Sequence, residues 1–80
     1  MKKKLGQMKI GEKAKIKGYE KKGEQYREKL LSMGLTKGAE VTLLKLAPMG
    51  DPVEILIRDF KLSLRKEEAE ILILNGGQNE

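Results

Sequence analysis

The run Val41-Thr42-Leu43-Leu44-Lys45-Leu46-Ala47-Pro48-Met49-Gly50-Asp51-Pro52-Val53-Glu54-Ile55-Leu56-Ile57 decides the fold. Residues 41–46 are apolar and β-branched enough for a strand, but their in-out alternation changes phase at Leu43-Leu44. A phase change of this kind predicts a β-bulge, or a strand covered on both faces. Residues 48–52 then read as a turn throughout, with two prolines fixing φ and a glycine supplying freedom. Val53, Ile55 and Ile57 alternate with Glu54 and Leu56, so a second strand returns beside the first.

Working outward, Arg58-Asp59 predicts a tight reversal, because Phe60, Leu62 and Leu64 resume the alternation against Lys61, Ser63 and Arg65. Residues 66–70 predict one helical turn, and 71–74 a last apolar strand. Residues 75–80 carry two glycines and polar side chains and read as a frayed tail, leaving a core of about 5–74. Upstream, Tyr26, Leu30 and Met33 fall at i, i+4 and i+7, the spacing of one helix face, with Leu31 widening the stripe. Gly34 suits the left-handed residue that follows a helix. Residues 18–23 form a polar loop, and 13–18 alternate Ala14 and Ile16 with Lys13, Lys15 and Lys17, which predicts a half-buried strand.

Five short strands and one helix within 80 residues make a single domain. The chain is mainly β, and a small closed barrel is the economical arrangement because closure removes exposed edges. An SH3-like β-barrel with one helix inserted after the first strand fits best, with a small OB-like barrel as the alternative.

Composition excludes most chemistry. The chain has no histidine and no cysteine, which removes the usual neutral-pH base, the thiolate nucleophile and the commonest transition-metal ligands. No nucleophile elbow or phosphate-binding glycine loop is present, and Glu67-Glu68 reads as two solvated carboxylates rather than a catalytic pair. Acidic residues are scattered, and Met8, Met33 and Met49 read as packing or contact residues, so no metal site and no cofactor is expected. The basic start Met1-Lys2-Lys3-Lys4 is followed by Gly6, Gln7 and Lys9 rather than an apolar run, and no ~20-residue apolar stretch exists. A soluble, cytoplasmic protein is expected.

Net charge is +5, unevenly spread. Residues 1–22 hold nine lysines and two glutamates, a balance of +7, while residues 23–80 balance at −2. Such an arm attracts nucleic acid, an acidic protein or an anionic membrane. Bases need rings to stack on, however, and Tyr26 and Phe60 fall at apolar pattern positions, leaving only Tyr19 free. With three arginines besides, specific nucleic-acid recognition is not expected. Self-association through an edge strand or through Leu44, Leu46 and Leu56 is a further reading, so a homodimer stays open.

Several ordered pieces resemble one known family. Residues 30–35 (Leu-Leu-Ser-Met-Gly-Leu), the Lys37-Gly38-Ala39-Glu40-Val41 strand entry, the 47–52 turn and the Leu64-Arg65-Lys66-Glu67-Glu68-Ala69 step resemble motifs of the FeoA family, as does the opening at 10–16. The resemblance covers about 70 of the 80 positions and departs at Asp59, where the family commonly has glycine. It implies an SH3-like barrel and a non-catalytic accessory role in ferrous-iron uptake. The implied partner is a FeoB-type membrane GTPase transporter, with the membrane reached only through that partner. The same barrel type in metal-dependent repressors implies the alternative, a free-standing module linked to transcription regulation or weak nucleic-acid binding. The surface expected to meet the partner is the exposed turn, Pro48, Met49, Gly50, Asp51 and Pro52, with Arg27 and Lys29 on the outer helix face.

Overall fold

The alternation read from residue 41 onward becomes one antiparallel sheet in the computed structural model, which describes residues 2–49 and 51–75. Its strands are β1 (Lys2–Lys3), β2 (Lys13–Tyr19), β3 (Glu40–Leu46), β4 (Val53–Ile57), β5 (Phe60–Leu64) and β6 (Leu72–Asn75). They lie in the order β1-β6-β2-β3-β4-β5. Helix α1 (Glu24–Ser32) links β2 to β3, and the one-turn helix α2 (Lys66–Ala69) links β5 to β6.

The fold is mainly β and SH3-like, as expected, with two corrections. Among the described residues the strands number six, because Lys2 and Lys3 pair with Asn75 and Leu74 of β6; the helix therefore follows the second strand. The expected closure does not occur either. Among the described residues β1 and β5 are not hydrogen-bonded to each other, so the sheet curls like a barrel but keeps two edges. β1 is only two residues long, so the edge it offers is short.

Sequence alternation maps directly onto burial. Val41 and Leu43 of β3, Val53, Ile55 and Ile57 of β4, and Leu64 of β5 point inward and are almost fully buried. The phase change in β3 is a bulge: Leu43 pairs with Ile55 but Lys45 pairs with Glu54, leaving Leu44 as the extra residue. A second irregularity sits between Ile16 and Gly18 in β2. Leu5, Leu30, Leu35, Leu72 and Leu74 complete a core with 0% exposure.

Helix α1 has no side chain capping its start. Its end is better fixed. Leu35 N–H donates to Leu30 O and Gly34 N–H to Leu31 O, both at 3.0 Å, with Gly34 at φ 93°. This is the Schellman arrangement that the sequence position of Gly34 predicts, and Leu30 and Leu35, both buried, supply its apolar contact. Leu31 does not widen the buried stripe; it stays 38% exposed. Gly23 at the other end answers to packing, since a Cβ there would lie 1.8 Å from Ile71 Cδ1.

In the reversal between β4 and β5, Ile57 pairs with Phe60. The residue in the left-handed region is Arg58, at φ 55°, rather than Asp59. Asn75, which the sequence reading assigned to the tail, ends β6; residues 76–80 and Gly50 lie outside the described residues.

Candidate partner-binding surface

The basic N-terminal segment is part of the fold rather than a free arm. Lys3 Nζ meets Glu12 Oε2 at 2.6 Å, and Lys4 Nζ reaches Glu20 Oε2 at 2.8 Å and the Glu70 carbonyl at 2.7 Å. The Lys3 hydrogen bond, joined by Lys9 N–H on the other carboxylate oxygen, holds the Glu12 carboxyl below its ordinary pKa. Of the exposed lysines, Lys13, Lys15 and Lys17 lie on the outer face of β2, while Lys9, Lys21 and Lys22 lie outside that strand. Lys13 and Lys15 share an open groove of about 650 Å³ with Gly11, Glu12, Glu40 and Asn75. Lys15 stands opposite Glu40 across the ladder and Lys13 opposite Thr42.

The turn expected to meet a partner is exposed where it is described. Met49 is 80% accessible, and Pro48, Asp51 and Pro52 are also exposed. Gly50 lies outside the described residues. The Asp51–Pro52 peptide bond is cis, and Asp51 Oδ1 accepts from the Lys66 backbone N–H at 3.3 Å, joining the turn to the start of α2.

Arg27 and Lys29 are exposed on α1 but occupied within the molecule. The Arg27 guanidinium stands 5.4 Å from the centre of the Tyr19 ring. Lys29 Nζ bonds Glu68 Oε2 at 2.6 Å, which joins α1 to α2. Glu68 is only 4% exposed, a correction to the reading of Glu67-Glu68 as two solvated carboxylates. Its second oxygen accepts from Arg65 N–H at 3.0 Å, so it also caps the start of α2. Burial pushes the Glu68 pKa up, but the Lys29 bond, the Arg65 N–H and the nearby positive charges outweigh it and hold the carboxyl below its ordinary range. Turn and helix are thus both anchored on α2.

Two ring assignments from the sequence are corrected. Tyr19 is not free: it is partly buried against the core and donates its hydroxyl to the Leu35 carbonyl. Burial raises its pKa, with Arg27 opposing. Phe60, placed at an apolar strand position, is 61% exposed at the start of edge strand β5. The alternation rule gives the face Phe60 points to but not that the sheet ends there, so the sequence could not identify it as a surface residue. Ile10, 63% exposed in the loop before β2, carried no signal either.

Among the described residues, no three acidic side chains converge on a point where a metal ion would sit. No helix of the described chain is long and apolar enough to cross a membrane.

Comparison with known proteins agrees with this architecture. The FeoA domain family model matches residues 3–74. A protein of Porphyromonas gingivalis (strain ATCC BAA-308 / W83), described as an Fe(2+) transport protein A/Fe(2+) transporter FeoB fusion protein, is 37% identical over 65 residues. That match takes in 81% of this chain and 8% of the fusion protein, so the chain spans a small part of that relative. The solution structure of a FeoA-like protein from Clostridium acetobutylicum superposes with a TM-score of 0.84 at 32% identity, covering 99% of this chain and 91% of that one. A manganese-dependent transcriptional repressor superposes equally well, TM-score 0.84 over 94% of this chain and 41% of its own, but at 12% identity. The repressor therefore shares the fold alone.

Proposed function

The chain belongs to the FeoA family of ferrous-iron transport, and from that premise we propose that it is a non-catalytic accessory protein binding the cytoplasmic portion of a FeoB-type transporter. The observation that carries the reading is the relative in which an Fe(2+) transport protein A and a FeoB transporter form one polypeptide. Fusing two proteins keeps each at high effective concentration near the other, which is useful where the two associate. A chain without histidine or cysteine is suited to modulating a transporter rather than to doing its chemistry.

The protein then works in the cytoplasm and reaches the membrane only through the transporter. Met49, flexible, apolar and presented at a turn tip between Pro48 and the Asp51-Pro52 pair, is the contact on which this reading places most weight. Ferrous iron is the transporter's cargo and needs no site on this chain.

A second reading, a module attached to metal-dependent transcription regulation, draws on the repressor's matching fold. Direct binding to nucleic acid is the weaker form of it, because Tyr19 has its hydroxyl engaged and its ring beneath Arg27. A pull-down of the tagged protein from its own membrane and cytosol extract separates the readings. Recovery of a FeoB-type GTPase supports the first; recovery of only a regulator or nucleic acid overturns it.

A further inference from the structure

The open sheet leaves β5 as an edge of five residues, Phe-Lys-Leu-Ser-Leu, with no proline and no bulge against β4. Edge strands are commonly shortened, bulged, interrupted by proline or given charges, because their unpaired peptide groups accept another strand. Of these devices β5 has one, Lys61.

The register shows which peptide groups are unpaired. The reversal at Arg58-Asp59 is two residues long, so Ile57 and Phe60, which close it, bond to each other. Alternation then bonds Leu62 to Ile55 and Leu64 to Val53. The N–H and C=O groups of Lys61 and Ser63, both exposed residues, point the other way, out along the free edge. Among the described residues neither has a backbone bond to a loop or turn. These two outward residues lie symmetrically about Leu62. An identical strand laid antiparallel, Leu62 opposite Leu62, sets Lys61 against Ser63 twice, and each pair exchanges both of its N–H···O bonds.

The side chains suit the same register. On the inner face half-buried Leu62 meets its own counterpart, and Phe60, 61% exposed, meets Leu64. Asp59 falls opposite Arg65 at both ends of the pairing. On the outer face Ser63 stands beside Glu54 of β4, so Lys61 of the second copy reaches past a small side chain to a carboxylate, again twice. Arg58 falls opposite Lys66, but Asp51 lies beside Lys66, accepting from its N–H at 3.3 Å, and offsets that repulsion.

Residues 51–67 hold four basic and four acidic side chains, a balance of zero, while the whole chain carries +5. Two copies of so basic a protein repel each other, but not through this segment. Neutrality favours neither an acidic nor a basic partner strand. The opposed charges at Asp59 and Arg65, three residues either side of Leu62, favour the strand itself.

We propose that the β5 edge is a self-docking site, at which two copies of this chain pair β5 with β5 about Leu62 into one continuous sheet. The contact is two-fold and closes on itself. Pairing β5 with β1 of another copy would instead run head to tail, and β1 offers only two residues to it. With five residues a side, the interface is small and reversible rather than permanent. It stands independently of the transporter reading.

Sedimentation and amide NMR of the full chain, from about 20 µM to 1 mM at low salt, test this in the range of a weak interface. The mass should rise with concentration from 9.0 kDa toward twice that value, while the Lys61 and Ser63 amides shift and exchange more slowly. Asp59→Arg alone, and Arg65→Asp alone, each set like charges together twice and should weaken self-association about tenfold or more. Mixing the two variants, or combining both changes in one chain, makes the charges opposite again. Association should then return to within about threefold of wild type. A mass that stays at one chain up to the highest concentration overturns the proposal. Growth past two chains does so too, because it would mean head-to-tail pairing. Folded single variants that associate as well as wild type, or a mixture that fails to restore association, overturn the register on which the proposal rests.

Discussion

Lys29 Nζ on α1 lies 2.6 Å from Glu68 Oε2 on α2, joining side chains 39 residues apart. Neither helix is long, and α1 lacks a side-chain cap, so their placement depends on contacts of this kind. Lys29→Ala leaves a nearly buried carboxylate with only the Arg65 N–H as partner. A loss of about 1–2 kcal/mol is expected by denaturant unfolding, below the range for fully buried pairs because the Lys29 side chain is more than half exposed. Glu68→Gln keeps the capping acceptor and should lose less.

The same carboxylate makes stability depend on acid. Glu68 and Glu12 both have folded pKa values below the ordinary 4.5. The unfolded chain therefore binds more protons than the folded one in this window, and stability present above about pH 4.5 is lost as pH falls through the lower folded values. Melting curves from pH 7 to pH 2 should show this decline, and it should be shallower in Glu68→Gln. An identical slope in both would remove Glu68 from the account.

Gly23→Ala should destabilise by about 1–3 kcal/mol, because the added methyl overlaps Ile71. Ile71→Ala removes Cδ1, Cγ1 and Cγ2, the three atoms that lie nearest the added methyl. The double variant should therefore unfold at higher denaturant than the sum of the single losses predicts. Strict additivity would mean that the strain lies elsewhere.

Arg58→Gly should stabilise by about 0.5–1 kcal/mol, since Arg58 adopts the left-handed φ that an L side chain disfavours. Asp59→Gly should give no such gain. The opposite ranking would put the strained residue where the family resemblance alone suggests it.

Local rules account for what the sequence made legible. The Leu43-Leu44 phase change is the bulge at Leu44, Gly34 ends α1 as a left-handed residue, and Val53, Ile55 and Ile57 are buried in alternation. What was missed depends on long-range pairing. Lys2 and Lys3 look like a solvated arm until β6 is present to pair with them. Glu68 looks solvated until α1 brings Lys29 to it, and Tyr19 looks free until the Leu35 carbonyl and Arg27 are placed against it. The candidate turn was legible from its prolines, whereas edge strand β5 was not, because periodicity does not say which strand lies last.

Met49→Ser should leave stability within about 0.5 kcal/mol, as expected for an exposed position. Its effect should instead appear in partner binding, weakened about threefold to thirtyfold if this turn is the contact. Arg27→Ala should lower stability modestly by exposing the Tyr19 ring, with a smaller effect on binding.

The most direct test is a calorimetric titration of the purified protein into the isolated cytoplasmic portion of a FeoB-type transporter, at physiological salt, with and without guanine nucleotide. The account predicts saturable binding near one to one, no nucleotide hydrolysis by this chain alone, and weaker binding by Met49→Ser. No heat and no co-elution at up to millimolar concentration, with both proteins shown to be folded, would contradict it.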